Sequence, residues 1–291
     1  MPGPPVGHRA HPRVVTLGDL PRETTYAGAT WRVTKVSFRG AGVDDSGQDQ
    51  PPAAVVAFQV VNTGTKPKDQ NIGTDLVSLL DADGARVPAS YDGLDSTTVV
   101  AGGQADLEAT FPLSEDVTAD DLGDYGFQVG DEQSEPAVVP FSGEAPETPY
   151  PLKLTTPASV DGLVLAGGIH KPGNAGAATL RSINATVSLD HDGVQAKKGT
   201  RFVTVDGAVD VKEGTHAYLG PDDLQLAIDG IAMTQVDHDT PPATADLPAG
   251  STAKVTWTFT MPAGGKSGTL KFGDKTDPAA KGGAFSLPQM P

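Results

Sequence analysis

Two aspartate-rich stretches hold the side chains best suited to chemistry. Asp44-Asp45-Ser46-Gly47-Gln48-Asp49 and Asp81-Ala82-Asp83-Gly84 each crowd carboxylates onto turn-forming sequence. Calcium takes about six to eight hard oxygen ligands, and closely spaced Asp side chains supply several. Asp44, Asp45, Asp49, Asp81 and Asp83 are therefore the candidate metal ligands, and calcium is the one cofactor they suggest. Neither stretch completes a calcium loop with its terminal Glu. Asp81 and Asp83 also stand where a hairpin needs turn formers, which predicts a structural turn with Gly84 at positive φ.

The other reactive types are less well arranged. His216 and Asp237-His238-Asp239 bring imidazole and carboxylate donors, but zinc or copper needs about three or four that converge. Their spacing shows no such set, so exposed loop histidines are expected, and His8 and His11 fall in a Pro-rich lead. There is no Gly-x-Ser-x-Gly elbow for a serine nucleophile. Gly102-Gly103 and Gly167-Gly168 lack the Lys of a phosphate loop and read as turn glycines. Abundant Asp and Glu leave a glycosidase-like carboxylate pair conceivable but unplaced. Asn184-Ala185-Thr186 fits a glycosylation sequon. With no Cys, a thiolate nucleophile, a disulfide and a cysteine-ligated zinc are excluded. No catalytic and no cofactor-binding residue is assigned, and the chain reads as a non-enzyme.

The surrounding composition excludes some partners. Against 37 Asp and Glu stand 21 Lys and Arg, a formal charge of −16. That charge repels nucleic acid and anionic lipid headgroups alike. No apolar run is long enough for a membrane helix, so no membrane insertion is expected. Met1 to Arg13 lacks the apolar core of a signal peptide. Either the protein is cytoplasmic, or an export signal or anchor lies outside these residues.

The elements that must position these side chains are short strands. The chain is 37% apolar, with 35 Gly and 25 Pro, which suits many turns and works against long helices. Thr30 to Phe38 reads as a strand whose phase shifts near Lys35, as at a bulge. Trp31, Val33 and Lys35 share one face before that shift. Ala53 to Asn62 is a nearly continuous Val-rich run, as in a central strand covered on both sides. Leu76 to Leu80, Tyr125 to Val129 and Ala137 to Phe141 follow as strands. Ala105, Leu107, Ala109 and Phe111 alternate with polar residues after the Ala101-Gly102-Gly103 turn. About seven strands in some 115 residues suit an immunoglobulin-like sandwich. Trp31 and Trp257 lie in phase with core positions, the alternative being an exposed platform for sugar stacking.

Much of this recurs 148 residues later. Asp75 to Asp81 is echoed by Asp223 to Asp229, and Ala101-Gly102 to Phe111 by Ala249-Gly250 to Phe259. Ala29-Thr30-Trp31-Arg32 is echoed by Ala178-Thr179-Leu180-Arg181. Segments in one order at nearly one offset imply a duplicated domain. Gly143 to Pro157 carries four prolines and reads as an extended connector. The predicted organisation is a flexible lead at 1–23, one domain at 24–142, a Pro-rich linker at 143–159 and a second domain at 160–291.

The pattern of Tyr26-Ala27-Gly28, Trp31-Arg32-Val33-Thr34, Val55 to Gly64, Leu76 to Gly84 and Val100-Ala101-Gly102-Gly103 to Phe111 resembles a known family. These are the secreted immunoglobulin-like domains of unknown function on lipoproteins and membrane-anchored proteins of high-GC Gram-positive bacteria, similar in fold to a mycobacterial immunoprotective antigen. The resemblance covers 24–142 well and 160–288 more loosely. It implies an all-β fold of two tandem immunoglobulin-like β-sandwich domains, extracellular or cell-surface display, and a binding or structural role. It carries over no catalytic residue. The expected function is thus a non-catalytic extracytoplasmic module whose partner is a protein or cell-wall component. A calcium-stabilised adhesion or carbohydrate-binding module is the alternative, and a hydrolase the third reading.

Overall fold

The computed structural model describes residues 13–15, 22–43, 47–64, 66–91, 94–143, 150–165, 176–212, 217–220, 223–238, 246–272 and 283–287. Among these the protein is nearly all-β, with 3-10 geometry at Asp121–Asp124 and at the single residues Tyr91 and Asp223. It divides into two compact units. Unit 1 is Met1–Glu147 together with Asp190–Lys198, and unit 2 is Thr148–Leu189 with Gly199–Pro291.

In unit 1, β1 (Arg13–Val15) and β2 (Arg22–Tyr26) both pair with the long β3 (Ala29–Arg39). β1 lies in the stretch expected to be a flexible lead, where the Val14-Val15 pair finds Ser37 and Val36 as partners. A ribbon of β4 (Gly42–Val43) and β5 (Asp49–Gln50) leads to β6 (Ala53–Val61). Then come β7 (Gln70–Ile72), β8 (Val77–Leu80), β9 (Arg86–Pro88), β10 (Thr97–Val99) and β11 (Gln104–Pro112). β12 (Gly126–Val129) and β13 (Ala137–Pro140) close the unit. One antiparallel sheet runs β1-β3-β6-β11 and a second runs β13-β12-β8-β9, with β10-β7 a separate ribbon.

The two sheets share one apolar core because inward residues recur every second position along each strand. Trp31 of β3 stacks on Phe58 of β6 at 5.8 Å, and Phe58 meets Phe127 of the other sheet at 4.9 Å. Phe111 completes the aromatic cluster, edge-on to Phe127. The register of β3 on β6 shifts between Val33 and Lys35. That bulge keeps Trp31, Val33 and Val36 buried and turns Lys35 outward, away from the face expected for it. β6 is likewise not covered on both sides: Ala54, Val56, Phe58 and Val60 are buried, whereas Val55, Ala57, Gln59 and Val61 are partly exposed. Its apolar outer residues are shielded only by neighbouring strands.

Unit 2 begins with β14 (Leu152–Leu154) and β15 (Ser159–Leu165), both paired with β16 (Gly176–Ser188). β17 (Asp190–His191) and β18 (Val194–Gln195) form a hairpin that belongs to unit 1. The rest of unit 2 is β19 (Thr200–Val211), β20 (Ala217–Tyr218), β21 (Leu224–Ile228), β22 (Ile231–Ala232), β23 (Thr234–His238), β24 (Asp246–Leu247), β25 (Thr252–Pro262), β26 (Gly268–Phe272) and β27 (Gly283–Leu287). Its sheets run β14-β16-β19-β25-β23 and β22-β21-β26-β27, with β20-β24 a ribbon. Each sheet of unit 1, and its β10-β7 ribbon, thus has a counterpart in unit 2 in the same chain order, while the counterpart of β4–β5 is the β17–β18 hairpin of unit 1. Among the described residues β23 is an addition, on the free side of β25. Trp257 is fully buried in this second core, edge-on to Phe272 at 5.7 Å.

Candidate functional site

A group of titratable side chains in unit 1 surrounds the β17–β18 hairpin. Asp192 and Gly193 at its tip have φ of +50° and +73°, the backbone of a type I′ turn, for which Asp-Gly is a favoured pair. Opposite lies a second such turn, Ala27-Gly28, joining β2 to β3. The two approach so closely that a Cβ on Gly28 would stand 3.4 Å from the Gly193 Cα.

The hairpin is held mainly by polar bonds. The Gln195 amide accepts from the Ala27 N–H at 2.9 Å and donates to the Glu135 carbonyl at 2.8 Å. Backbone bonds continue along the same segment: Glu135 N–H donates to Ala196 O, and Lys198 N–H to Gln133 O, each at 2.8 Å. The Lys66 ammonium meets Asp192 at 3.0 Å. The receiving loop is itself fixed, since Asp131 accepts from the N–H groups of Gln133 and Ser134, and the Tyr26 hydroxyl donates to Ser134 Oγ at 2.8 Å.

A recess of about 310 Å³ lies beside these contacts, lined in part by Thr25, Lys66, Asp190, His191 and Asp192. Burial pushes the Asp190 carboxyl above the usual range, with Asp192 adding to the rise and His191 opposing it. Asp131 moves the other way. Burial would raise it, but hydrogen bonds from Ser134 and Gln133 and the charge of Arg86 hold it below the ordinary carboxylate value. Burial also lifts the Tyr26 phenol. The recess therefore offers a carboxyl whose proton affinity burial raises, an imidazole 3.8 Å from a carboxylate, and an ammonium. Those groups suit ionic and hydrogen-bonded holding of loops or of a small polar ligand.

A second, more open recess of about 550 Å³ lies among Thr74, Asp75, Tyr91, Leu94, Asp95 and Ser96. Tyr91 is 90% exposed there, while Leu94 is buried.

No protein-family model and no curated protein matches the chain. Among solved structures, the yjhA protein from Bacillus subtilis is similar over 41% of this chain and 95% of its own, with 12% identity and a TM-score of 0.32.

The residues singled out by sequence fall in scattered places. Asp81 and Asp83 form the β8–β9 turn, where Asp81 Oδ1 accepts from Asp83 N–H at 3.0 Å and Ala85 N–H at 2.8 Å. Gly84 has the expected positive φ of +80°. Asp49 sits exposed in β5, and Asp44 and Asp45 lie outside the described residues. Among the described residues no three His, Cys, Asp or Glu side chains are placed to hold a metal ion. His8, His11, His216, Asp239 and the Gly167-Gly168 pair lie outside the described residues, and Asp237 and His238 are described only as backbone of β23. Asn184 lies on β16, its amide donating to Ser182 O at 3.1 Å. Trp31 and Trp257 are core residues, so neither offers a face to a sugar. Sequence reasoning passed over Asp190, His191, Gln195 and Lys66. Asp192-Gly193 was a legible hairpin signal, but nothing local says where that hairpin docks.

Proposed function

We propose that the protein is a non-catalytic, extracytoplasmic binding or structural module. It consists of two tandem immunoglobulin-like β-sandwich domains displayed at or released from a bacterial cell surface. The observation that carries this reading is one strand plan built twice, each time as two antiparallel sheets around a separate core. Such frames hold loops and strand edges rigidly, which is what recognition of a protein or cell-wall component requires. The carboxylates of Asp81, Asp131 and Asp229 support it as well, since each ties down a turn or loop.

Labelling intact cells of the source organism with a membrane-impermeant amine reagent tests the location. Labelled protein, bound by isolated cell envelopes, is the expected result; recovery of unlabelled protein in the cytosol alone overturns it.

A carbohydrate-binding reading is favoured by one feature, the open Tyr91 recess, where an aromatic face lies beside Asp75 and Asp95. Tyr91→Ala would then abolish retention on immobilised cell-wall polysaccharide; equal retention of the variant removes this reading.

A further inference from the structure

We infer that the free edge of β11 is a docking site for a basic β-strand of a partner protein, added antiparallel. The proposal rests on the binding-module reading and names the surface and the partner's chemistry.

β11 ends its sheet. Asn62 N–H donates to Gly103 O and Leu113 N–H to Pro52 O, which fixes the phase of the ladder. Odd-numbered residues bond toward β6, so the backbone groups of Gln104, Asp106, Glu108 and Thr110 point away from it. Thr110 O accepts from Ser90 N–H at 2.8 Å. Among the described residues, nothing bonds the outward N–H and C=O of Gln104, Asp106 and Glu108. The counterpart edge in unit 2 takes a strand along its far end: β23 pairs antiparallel with β25 from Trp257 to Thr260, which correspond to Ala109–Pro112. Thr258 there is the residue echoed by Thr110.

The outer face of the sheet shows what chemistry should come next. One row across the strands reads Glu23, Arg32, Gln59, Asp106. Arg32 pairs with Glu23 at 2.8 Å, and Gln59 donates to Asp106 at 2.9 Å. The row thus holds two donor–acceptor pairs, and it stops at the edge on an acceptor. The row Lys35, Ala57, Glu108 stops on a carboxylate too. Opposite charges facing each other across neighbouring strands are favourable, so the next strand should place Lys or Arg opposite both acids. On the inner face Ala105 and Leu107 are half-buried at the margin of the core, and apolar residues alternating with the basic ones would cover them. A second copy of the same edge is a poor occupant, because it would set acid against acid.

The test uses the full chain and amide hydrogen exchange. The probes are a capped heptapeptide alternating lysine with valine and the same peptide with glutamate for lysine, at about 0.15 M salt. Expected is slowing by about tenfold or more at Gln104, Asp106 and Glu108 with the lysine peptide only. Glu108→Pro removes an outward N–H while sparing every bond to β6, and should abolish the protection. Should that variant misfold, the double variant Asp106→Lys, Glu108→Lys decides, since it should exchange the preference to the glutamate peptide. The proposal is overturned by no slowing with the lysine peptide, by slowing confined to other acidic surfaces, or by a preference that ignores the double substitution. Envelope binding by a chain whose edge ignores the peptide sinks this proposal alone. An edge that takes the peptide in a chain confined to the cytosol sinks the surface reading alone.

Discussion

Replacing Gln195 with alanine tests how the β17–β18 hairpin is held in unit 1. One amide serves two backbone groups, accepting from Ala27 N–H and donating to Glu135 O. A hydrogen bond contributes about 1 kcal/mol net, and a buried group left unpaired costs about 1–3 kcal/mol. Both partners are only part-buried, so water recovers some of that cost, and the expected loss is about 2 kcal/mol. The backbone bonds of Glu135 and Lys198 and the Lys66–Asp192 pair survive. The hairpin should therefore stay docked but open about thirtyfold more often, since about 1.4 kcal/mol is tenfold. Native-state hydrogen exchange reads this directly. The amides of Glu135 and Lys198 should exchange faster by that factor, while those of Val56 and Phe58 in β6 keep their rates. Gln195→Glu keeps the acceptor for Ala27 but sets a carboxylate against the Glu135 carbonyl, and should do at least as much damage. Unchanged exchange at Glu135 and Lys198 in the alanine variant would falsify the docking account. An equal rise in β6 would show that the hairpin opens only with the whole unit.

Three further changes have defined outcomes. Asn62 is fully buried and its Nδ2 donates to the carbonyls of Lys68, Val99 and Val100. Asn62→Asp keeps the shape and removes the donors, so calorimetry should show a loss of roughly 3 kcal/mol or more, and a loss under about 1 kcal/mol would contradict the network. Asp190 has a folded-state pKa raised by burial, so unit 1 binds a proton there more tightly than the unfolded chain does. That contribution is fully present below the unfolded pKa and is lost as pH rises through the folded pKa. Asp190→Asn should therefore flatten the pH dependence of denaturant midpoints just above the usual carboxylate range and stabilise the protein at neutral pH; a neutral-pH loss would reverse the assignment. Asp81→Ala should cost about 1 kcal/mol, because Asp81 Oδ1 serves two turn amides, whereas Asp81→Asn keeps that acceptor and should melt like the parent. Calcium should raise neither midpoint, and a rise in the parent that the Asn variant lacks would restore a metal role.

The strands were legible because period-two burial writes itself into neighbouring residues. Ala105 to Phe111 alternated in sequence and alternates in burial. The phase break near Lys35 corresponds to a real register shift. The outer face of β6 was misjudged because Val55, Ala57 and Val61 are apolar without being enclosed, and composition does not distinguish a covered face from one flanked by β3 and β11. The polar site was harder for a different reason. Gln195 meets partners 168 and 60 residues away, and a contact at such separation leaves no local period. The duplication sharpens this contrast. β4–β5 and β17–β18 occupy the same place in the two strand plans, between the first long strand and the central one. Each turns on a glycine at positive φ, Gly47 and Gly193, and each ends on glutamine, Gln50 and Gln195. In the second, the Gln195 amide bridges Ala27 and Glu135, so its docking arises from the residues it meets rather than from the hairpin itself. Transplanting Asp190–Gln195 in place of Gly42–Gln50 should therefore yield another ribbon without creating another docked one, since the acceptor formed by Ala27, Gln133 and Glu135 stays where it is.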